Sequence, residues 1–376
     1  MKVRHVLGIG LLGCLLGGFG AGCNRGDDDG FIDAVPEQAA LQLDLTGDSA
    51  AEGTTTASAE LALDSIGVVQ QGLAGGVAPY LDGARNGIKA LNEAMRAHLQ
   101  PIAALIRDQA PTTAPGQVRI WGPVTRGVTD YRFVMRRGLI RNRFGWALQA
   151  KAMGAPDADY KVVAAGAITV GTVARRGVGV VGFDLDQLGA LDPTVKARGK
   201  ILAAFAHGPR GTALAYGLKG FSPDPARKQP FDAVFQGVHT VAGKNIARLA
   251  YHGNLADSAT AAEEFALARL RHVRGVGGRA DALATGGDVP AGRVHVVNEC
   301  WDAGAAQRFV IVRDCPVGGI GQGQCTVVKT EGQLTDCAPG LQTEELPPPV
   351  ATDPMAESEA PEMVIPPSEM PAGDGA

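Results

Sequence analysis

Acidic and histidine side chains are the first candidates for chemistry in this chain. Asp184 and Asp186 are two residues apart, so their carboxylates share one face of a strand, as a general acid and base would require. Capping of a following turn explains the same pair more simply. His239 and His252 can face each other across a hairpin, but no two histidines have the short spacing of zinc ligands. We therefore predict no catalytic residue, no metal site and no cofactor, and we do not expect an enzyme.

A glycine pattern, Gly177-x-Gly179-x-x-Gly182, matches the letters of a dinucleotide-binding fingerprint. That fingerprint requires a helix that starts within the glycines. Here valines alternate with the glycines, and this alternation predicts a strand. The region 117–315 also holds few serines and no Gly-x-Ser-x-Gly motif, so a hydrolase of that type is not indicated.

Four cysteines near the C-terminal end indicate disulfides. Cys300, Cys315, Cys325 and Cys337 are an even number in a chain that we expect to be exported, which predicts two bridges. The intervals between them are too long and too even for the paired short spacings of a zinc site. Three pairings are open. We expect Cys300 near a turn and Cys315 far along the return strand, so we favour Cys300–Cys325 with Cys315–Cys337.

Arginine clusters are the feature that suggests a partner. The candidate anion-binding residues fall in two groups, Arg136, Arg137, Arg141 and Arg143 around a predicted turn, and Arg269, Arg271 and Arg274 in a later segment. A solvated sheet face, balanced by the acidic ends of the chain, explains them without a ligand. The alternative is an anionic ligand, such as lipid headgroups, a phosphorylated glycan or released nucleic acid. Sequence-specific nucleic-acid binding is not expected, because no aromatic platform accompanies the arginines.

Charge divides the chain into three parts. Residues 117–315 hold 27 Lys and Arg against 16 Asp and Glu, whereas residues 23–116 hold 5 against 13. Residues 316–376 hold 1 against 10. A basic region therefore lies between two acidic flanks. Low hydrophobicity and negative charge predict that residues 23–58 and 342–376 are disordered.

The first 22 residues have the order of a secretory signal, with a basic start, an apolar run and small residues before Cys23. The segment Phe19-Gly-Ala-Gly-Cys23 resembles a bacterial lipoprotein cleavage site, although Gly20 stands where a branched apolar residue is usual. That resemblance implies lipidation of Cys23, and Asn24 implies sorting to the outer membrane of a Gram-negative cell. Cys14 and ordinary secretion are the alternatives.

Short alternating runs separated by Gly, Pro or Asp recur from about residue 117 to residue 312, and these predict antiparallel strands. Before them, Ile88, Leu91, Met95 and Leu99 recur at helical spacing and make one apolar stripe. We predict a mainly β fold with N-terminal helices, an α+β arrangement. It is a large curved antiparallel sheet or open barrel with a helix packed on its concave face.

The same patterns divide the chain along its length. We predict a signal peptide (1–22), a flexible acidic tether (23–58), a helical segment that packs on the sheet (59–113), an antiparallel β domain (114–318), a disulfide-stapled C-terminal loop or hairpin (319–341) and a disordered, proline-rich acidic tail (342–376).

Three segments together carry a family resemblance. The lipoprotein start, the stretch from Gly177 to Pro193 and the later Glu299-Cys-Trp-Asp302 resemble uncharacterised outer-membrane lipoproteins of the myxobacterial type. The resemblance implies a location and a fold, and no activity. We expect a non-enzymatic envelope protein, lipid-anchored to the outer membrane, that binds an apolar or anionic envelope molecule in or on its sheet. A structural or assembly component of the cell surface is the alternative, and a hydrolytic enzyme is the second alternative.

Overall fold

A computed structural model describes most of the predicted β region and parts of the segments before it. The described residues are 30–31, 34–35, 78, 80–82, 84–85, 88–89, 91–93, 95–96, 105–106, 110–114, 116–140, 142–171, 177–226, 229–254, 262–320 and 323–343. The predicted signal peptide, Cys23, Arg141 and the tail beyond residue 343 lie outside these residues.

The described chain forms one open antiparallel sheet, in which each strand pairs with its neighbours in the sequence. The strands are β1 (Val118–Arg126), β2 (Thr129–Arg137), β3 (Arg143–Ala152), β4 (Lys161–Val170), β5 (Gly177–Asp184), β6 (Arg198–Gly208), β7 (Gly211–Ser222), β8 (Phe231–Thr240), β9 (Lys244–Gly253), β10 (Glu264–Val273), β11 (Gly277–Gly286), β12 (Arg293–Asp302), β13 (Gln307–Pro316) and β14 (Thr326–Gly332). Connections are short because consecutive strands are antiparallel neighbours. The predicted mainly β, antiparallel fold is confirmed.

One face of the sheet, called here the inner face, carries a continuous apolar cluster that runs from β1 to β13. Helical residues at positions 80–82, 84–85, 88–89, 91–93, 95–96 and 105–106 belong to the segment that covers it. Ile88, Leu91 and Met95 are buried in the same cluster as the strand side chains. Their three- and four-residue spacing puts them on one side of the helix, and that side faces the sheet. The predicted packing of a helix on one face of the sheet is confirmed.

Glycines inside the strands make room for aromatic rings on the inner face. Gly166 lies directly opposite Trp146, and a Cβ atom at Gly166 would stand 2.6 Å from the indole ring. Gly179 stands opposite Phe205 in the same way, and Gly278 stands opposite Trp301. Each ring therefore lies across the neighbouring strand, where any larger residue would collide with it. These pairs explain why glycine occurs within strands that glycine otherwise weakens.

A short helix, α1 (Leu185–Leu191), connects β5 to β6 and contacts β3 and β4 as well. The Asp184 carboxylate accepts a hydrogen bond from Gln187 N at 3.0 Å and so caps the helix. The Asp186 carboxylate accepts from Gly199 N at 2.9 Å. Both carboxylates therefore hold the connection in place, as the simpler interpretation of the pair predicts. The segment Gly177–Asp184 is strand, so the glycine pattern does not open a helix.

Two disulfides close the C-terminal part of the fold, and they join Cys300 to Cys337 and Cys315 to Cys325. The favoured pairing of Cys300 with Cys325 and of Cys315 with Cys337 is wrong. The reason is that residues 326–332 form β14, which runs back along β13 and brings Cys325 beside Cys315. At the other end of β14, Gly332 lies opposite Phe309, and Phe309 lies opposite Cys300. Cys337 follows closely and reaches Cys300.

Candidate functional site

The most unusual group on the inner face is a buried carboxyl, Glu299 of β12, which is only 1% exposed. Its Oε1 atom accepts a hydrogen bond from Tyr80 N at 3.3 Å, and Leu81 N also donates to the carboxyl. Gln307 Nε2 donates to Oε2 at 3.1 Å. Tyr80 and Leu81 lie in the first described turn of the helical residues 80–96, so Glu299 accepts from N–H groups near the N-terminal end of a helix.

The surroundings of Glu299 favour its neutral form. Burial raises the pKa of the Glu299 carboxyl to about 8, and the hydrogen bonds from Gln307, Tyr80 and Leu81 offset only part of this effect. A carboxyl with a pKa near the working pH is also suited to act as a general acid. Here both oxygens are occupied by the chain's own donors and the helical segment covers the group. The arrangement therefore holds the segment to the sheet.

A second polar group lies on the opposite, outer face, one strand away. Arg279 Nε donates to Asp281 Oδ1 at 2.7 Å, and Asn298 Nδ2 donates to the same oxygen at 2.8 Å. All three side chains are fully buried. Burial raises the pKa of the Asp281 carboxyl, and this effect outweighs the opposing effect of Arg279. The group is a buried ion pair of the kind that fixes structure.

The C-terminal segment covers this outer-face group. Arg279 Nη1 donates to Leu341 O at 3.0 Å, and Arg271 Nη2 donates to Thr343 O at 3.1 Å. Leu341 is buried in a small apolar cluster with Phe309 and the Cys300–Cys337 disulfide. Sequence reasoning named Glu299 only within the segment Glu299–Asp302 that carries the resemblance, and it did not single out Arg279 or Asp281. The available signal was a charged side chain within strands whose neighbours on both sides are small or apolar.

Six of the seven predicted anion-binding arginines lie within the described residues, and they fall in three different places. Arg269 and Arg271 lie on one face of β10, as the strand interpretation predicts, and that face is the outer one beneath the C-terminal segment. Arg274 lies instead in the β10–β11 turn with an exposed side chain. Arg136 and Arg143 are exposed beside the β2–β3 turn, and Arg137 lies over the ring of Phe31 at 4.9 Å. Arg141 lies outside the described residues.

The histidine pair considered from the sequence is not brought together. His239 lies opposite Asn245, whereas His252 lies at the other end of the same hairpin opposite Asp232. The described residues nowhere gather three or more His, Cys, Asp or Glu side chains in a way that could hold a metal ion. In the same part of the chain, no helix is both long and apolar enough to cross a membrane.

Comparison with known proteins, by family model, by curated sequence and by solved structure, gives no match for this chain. The fold and its polar groups therefore define a class by architecture alone. It is an open antiparallel sheet whose inner face is covered by an N-terminal helical segment and whose outer face is partly covered by a disulfide-bonded C-terminal segment.

Proposed function

We propose that the protein is a non-enzymatic structural component of the bacterial cell envelope, held at the outer membrane by a lipid on Cys23. The observation that supports a structural role is the covered inner face. Leu91, Met95 and Ile106 are buried against the strands, where a carrier of an apolar molecule would keep its binding space. The buried Glu299 carboxyl accepts hydrogen bonds from partners in the chain itself, Tyr80 N and Gln307 Nε2.

The lipid anchor rests on the sequence before Cys23 and is tested separately. Cys23→Ala should block processing of the signal peptide and remove the protein from the membrane fraction. Cys14→Ala is the matched control and should leave both properties unchanged. A Cys23→Ala protein that still fractionates with the membrane as the wild type does would refute the anchor.

The structural role predicts the result of a probe titration. The purified wild-type protein should show no saturable binding of a fluorescent naphthylamine. The Leu91→Ala/Met95→Ala variant should gain a site for a small aromatic molecule such as benzene, because truncation within an apolar cluster leaves a cavity that such molecules enter. Saturable binding of the naphthylamine at one site in the wild type would instead favour a carrier of apolar molecules.

A further inference from the structure

We propose that one end of the sheet rests on a membrane surface that contains anionic lipid, with apolar hairpin tips inserted among the headgroups. This end, called the basic end, includes the β2–β3, β6–β7, β8–β9 and β10–β11 turns and the residues beside them. In a sheet whose strands pair in chain order, all four turns lie at the same end. The β12–β13 turn, where Asp302 pairs with Arg308, lies at the same end. The proposal deepens the proposed function, since it rests on an anchored protein and names the surface that the membrane contacts.

Apolar side chains are exposed to solvent at the tips of three of these turns. In the β2–β3 turn Leu139 is 98% exposed, and Ile140 beside it is also exposed. Val241 is 77% exposed in the β8–β9 turn, and Val276 is exposed in the β10–β11 turn. Exposed apolar residues are common singly, but here they recur at three tips on one end of the sheet, which favours contact with an apolar partner.

Cations surround those apolar tips. The exposed basic residues at the basic end are Arg136, Arg143, Arg210, Lys244 and Arg274. The four turns contain no Asp or Glu between residues 136 and 143, 207 and 212, 239 and 246 or 272 and 279. Proteins bind bilayers with anionic headgroups through apolar side chains that insert at the membrane interface and through surrounding lysines and arginines.

The opposite end of the sheet also has apolar tips, but its exposed cations, such as Arg126, Lys161 and Lys196, stand among carboxylates. Val128, Met153 and Val317 are exposed there. The same connections and the residues beside them carry carboxylates, namely Asp130, Asp157, Asp159, Asp186, Asp192, Asp224, Glu263, Asp288 and Asp314. An anionic surface would repel this acidic end, so the charge distribution selects one orientation of the protein on the membrane.

The start of the described chain lies at the basic end as well. Phe31 contacts Phe144 with ring centroids 5.4 Å apart, and Phe144 is the second residue of β3, just after the β2–β3 turn. Cys23 is eight residues before Phe31, so Cys23 lies within about 28 Å of Phe31, the reach of eight extended residues. The proposed anchor therefore presents the basic end to the bilayer, because the acidic end is the far end of the sheet.

A polyanion such as a nucleic acid or a charged glycan would use the cations but would leave the apolar tips in water. The exposed leucine and valines thus favour a lipid surface over a soluble polyanion. The two occupants differ in one measurable property, which is whether a hairpin tip enters the acyl region.

Bromine-labelled lipids measure that property directly. Leu139→Trp and Val241→Trp place a reporter at two tips of the basic end, while Met153→Trp, at a residue that is 59% exposed, places one at the acidic end. The native tryptophans Trp121, Trp146 and Trp301 are buried, so they give little contact quenching. In the full-length, lipid-bearing protein on phosphatidylglycerol-containing vesicles, bromolipids should quench the two basic-end reporters and leave the Met153→Trp reporter unquenched.

A charge variant tests the role of the cations. Arg136→Gln/Arg210→Gln/Lys244→Gln in the Leu139→Trp background should lower the quenching by half or more, because each cation near an anionic surface contributes about a fivefold increase in affinity. Arg126→Gln/Lys161→Gln/Lys196→Gln removes the same charge from exposed residues of the acidic end. This control should leave the quenching unchanged.

The outcomes separate this proposal from the proposed function. Equal quenching of the basic-end reporters and the Met153→Trp reporter, or quenching of none of them by a protein that sediments with the vesicles, would overturn it while leaving the anchor intact. Binding to heparin without tip quenching would also overturn it, in favour of a soluble polyanion. If Cys23→Ala leaves fractionation unchanged but the tips are still quenched on anionic vesicles, the anchor is wrong and the membrane-facing end stands.

Discussion

The N-terminal part of the chain covers the inner face of the sheet, and the C-terminal part covers the outer face of β10–β13. The two contacts are held by different interactions. On the inner face the contact is apolar, and its one buried carboxyl, Glu299, accepts hydrogen bonds from backbone N–H groups. On the outer face the carboxyl of Asp281 is paired with Arg279, Arg279 donates to Leu341 O, and a disulfide joins Cys300 to Cys337.

The comparison shows that two buried carboxyls on adjacent strands, Glu299 of β12 and Asp281 of β11, are stabilised by different partners. Burial raises the pKa of both groups. Glu299 meets only neutral donors, so its charge is suppressed and the contact depends on pH. Asp281 has a guanidinium beside it, so the contact depends on keeping that cation in place. The inner face should therefore respond to alkali and the outer face to loss of charge or of a disulfide.

The largest effect is expected from Arg279→Leu. Removal of the guanidinium leaves the buried Asp281 carboxyl with only the more distant Arg271, whose Nη2 is 3.9 Å from Oδ2, and also removes the hydrogen bond to Leu341 O. The free energy of unfolding should fall by about 3–5 kcal/mol, measured by denaturant titration of the oxidised protein.

Two further variants make the test of Arg279 specific. Arg279→Leu/Asp281→Leu should recover much of the loss, because it removes the unpaired carboxyl. Arg308→Leu breaks an exposed pair with Asp302 and should cost less than about 1 kcal/mol. If Arg279→Leu were no more destabilising than Arg308→Leu, the ion pair would not hold the outer face.

Loss of one disulfide should be the next largest effect. Cys300→Ala/Cys337→Ala should lower the free energy of unfolding by about 2–4 kcal/mol. Cys315→Ala/Cys325→Ala should cost about 1 kcal/mol less, because its cysteines are 10 residues apart rather than 37. Non-reducing peptide mapping should first find these two pairs in the wild type. A peptide that links Cys300 to Cys325 would contradict the pairing.

The pH dependence of stability tests the inner face. The pKa of Glu299 rises from its ordinary 4.5 to about 8 on folding, so between these values the folded protein holds a proton that the unfolded chain releases. The free energy of unfolding should therefore fall with rising pH, by roughly 2–3 kcal/mol between about pH 6 and about pH 9. Glu299→Gln should remove this part of the slope, and Glu263→Gln, at an exposed carboxylate, should not. Parallel slopes for the wild type and Glu299→Gln would show that Glu299 is ionised in the fold.

The smallest effect concerns the ring contacts on the inner face. Gly166→Ala places a methyl group against the Trp146 ring and the Val180 carbonyl, so it should cost about 1–3 kcal/mol. Gly145→Ala, where a Cβ meets nothing within 4 Å, is the matched control and should change stability little. Equal melting temperatures of the two variants would mean that Trp146 does not lie over Gly166.

The strands could be predicted from the sequence where apolar and polar side chains alternate. The runs at Thr129–Arg136 and Arg143–Ala152 have apolar residues at every second position, and the structure has strands β2 and β3 there. Strand β11 was not predicted because Thr285 is the one β-branched residue in Gly277–Gly286. The strand is also buried on both faces, so its sequence shows no alternation of apolar and polar residues. Strand β14 was missed because its valines are exposed beside the cysteine-bearing loop.

The buried polar groups could not be predicted from the sequence in the same way. Whether Glu299 or Asp281 is buried depends on which segments cover β11 and β12, and those segments lie more than 200 residues before Glu299 and some 60 residues after Asp281. The predicted disulfide pairing was wrong for a related reason, because the observed pairing depends on β14, a strand that was not predicted. The sequence grouped Arg269, Arg271 and Arg274 together, whereas the structure places Arg271 on the outer face of β10 and Arg274 in the β10–β11 turn.

The central claim is that the N-terminal helical segment covers the inner face of the sheet, and hydrogen exchange of the oxidised, full-length protein tests it most directly. Peptides from residues 80–96 should exchange as slowly as peptides from the β8–β9 hairpin, because both would open only when the common apolar cluster opens. Glu299→Gln, which keeps an acceptor for Tyr80 N, should preserve that protection. Exchange of residues 80–96 within seconds, while β8 and β9 remain protected, would contradict the account and leave the inner face open to a ligand.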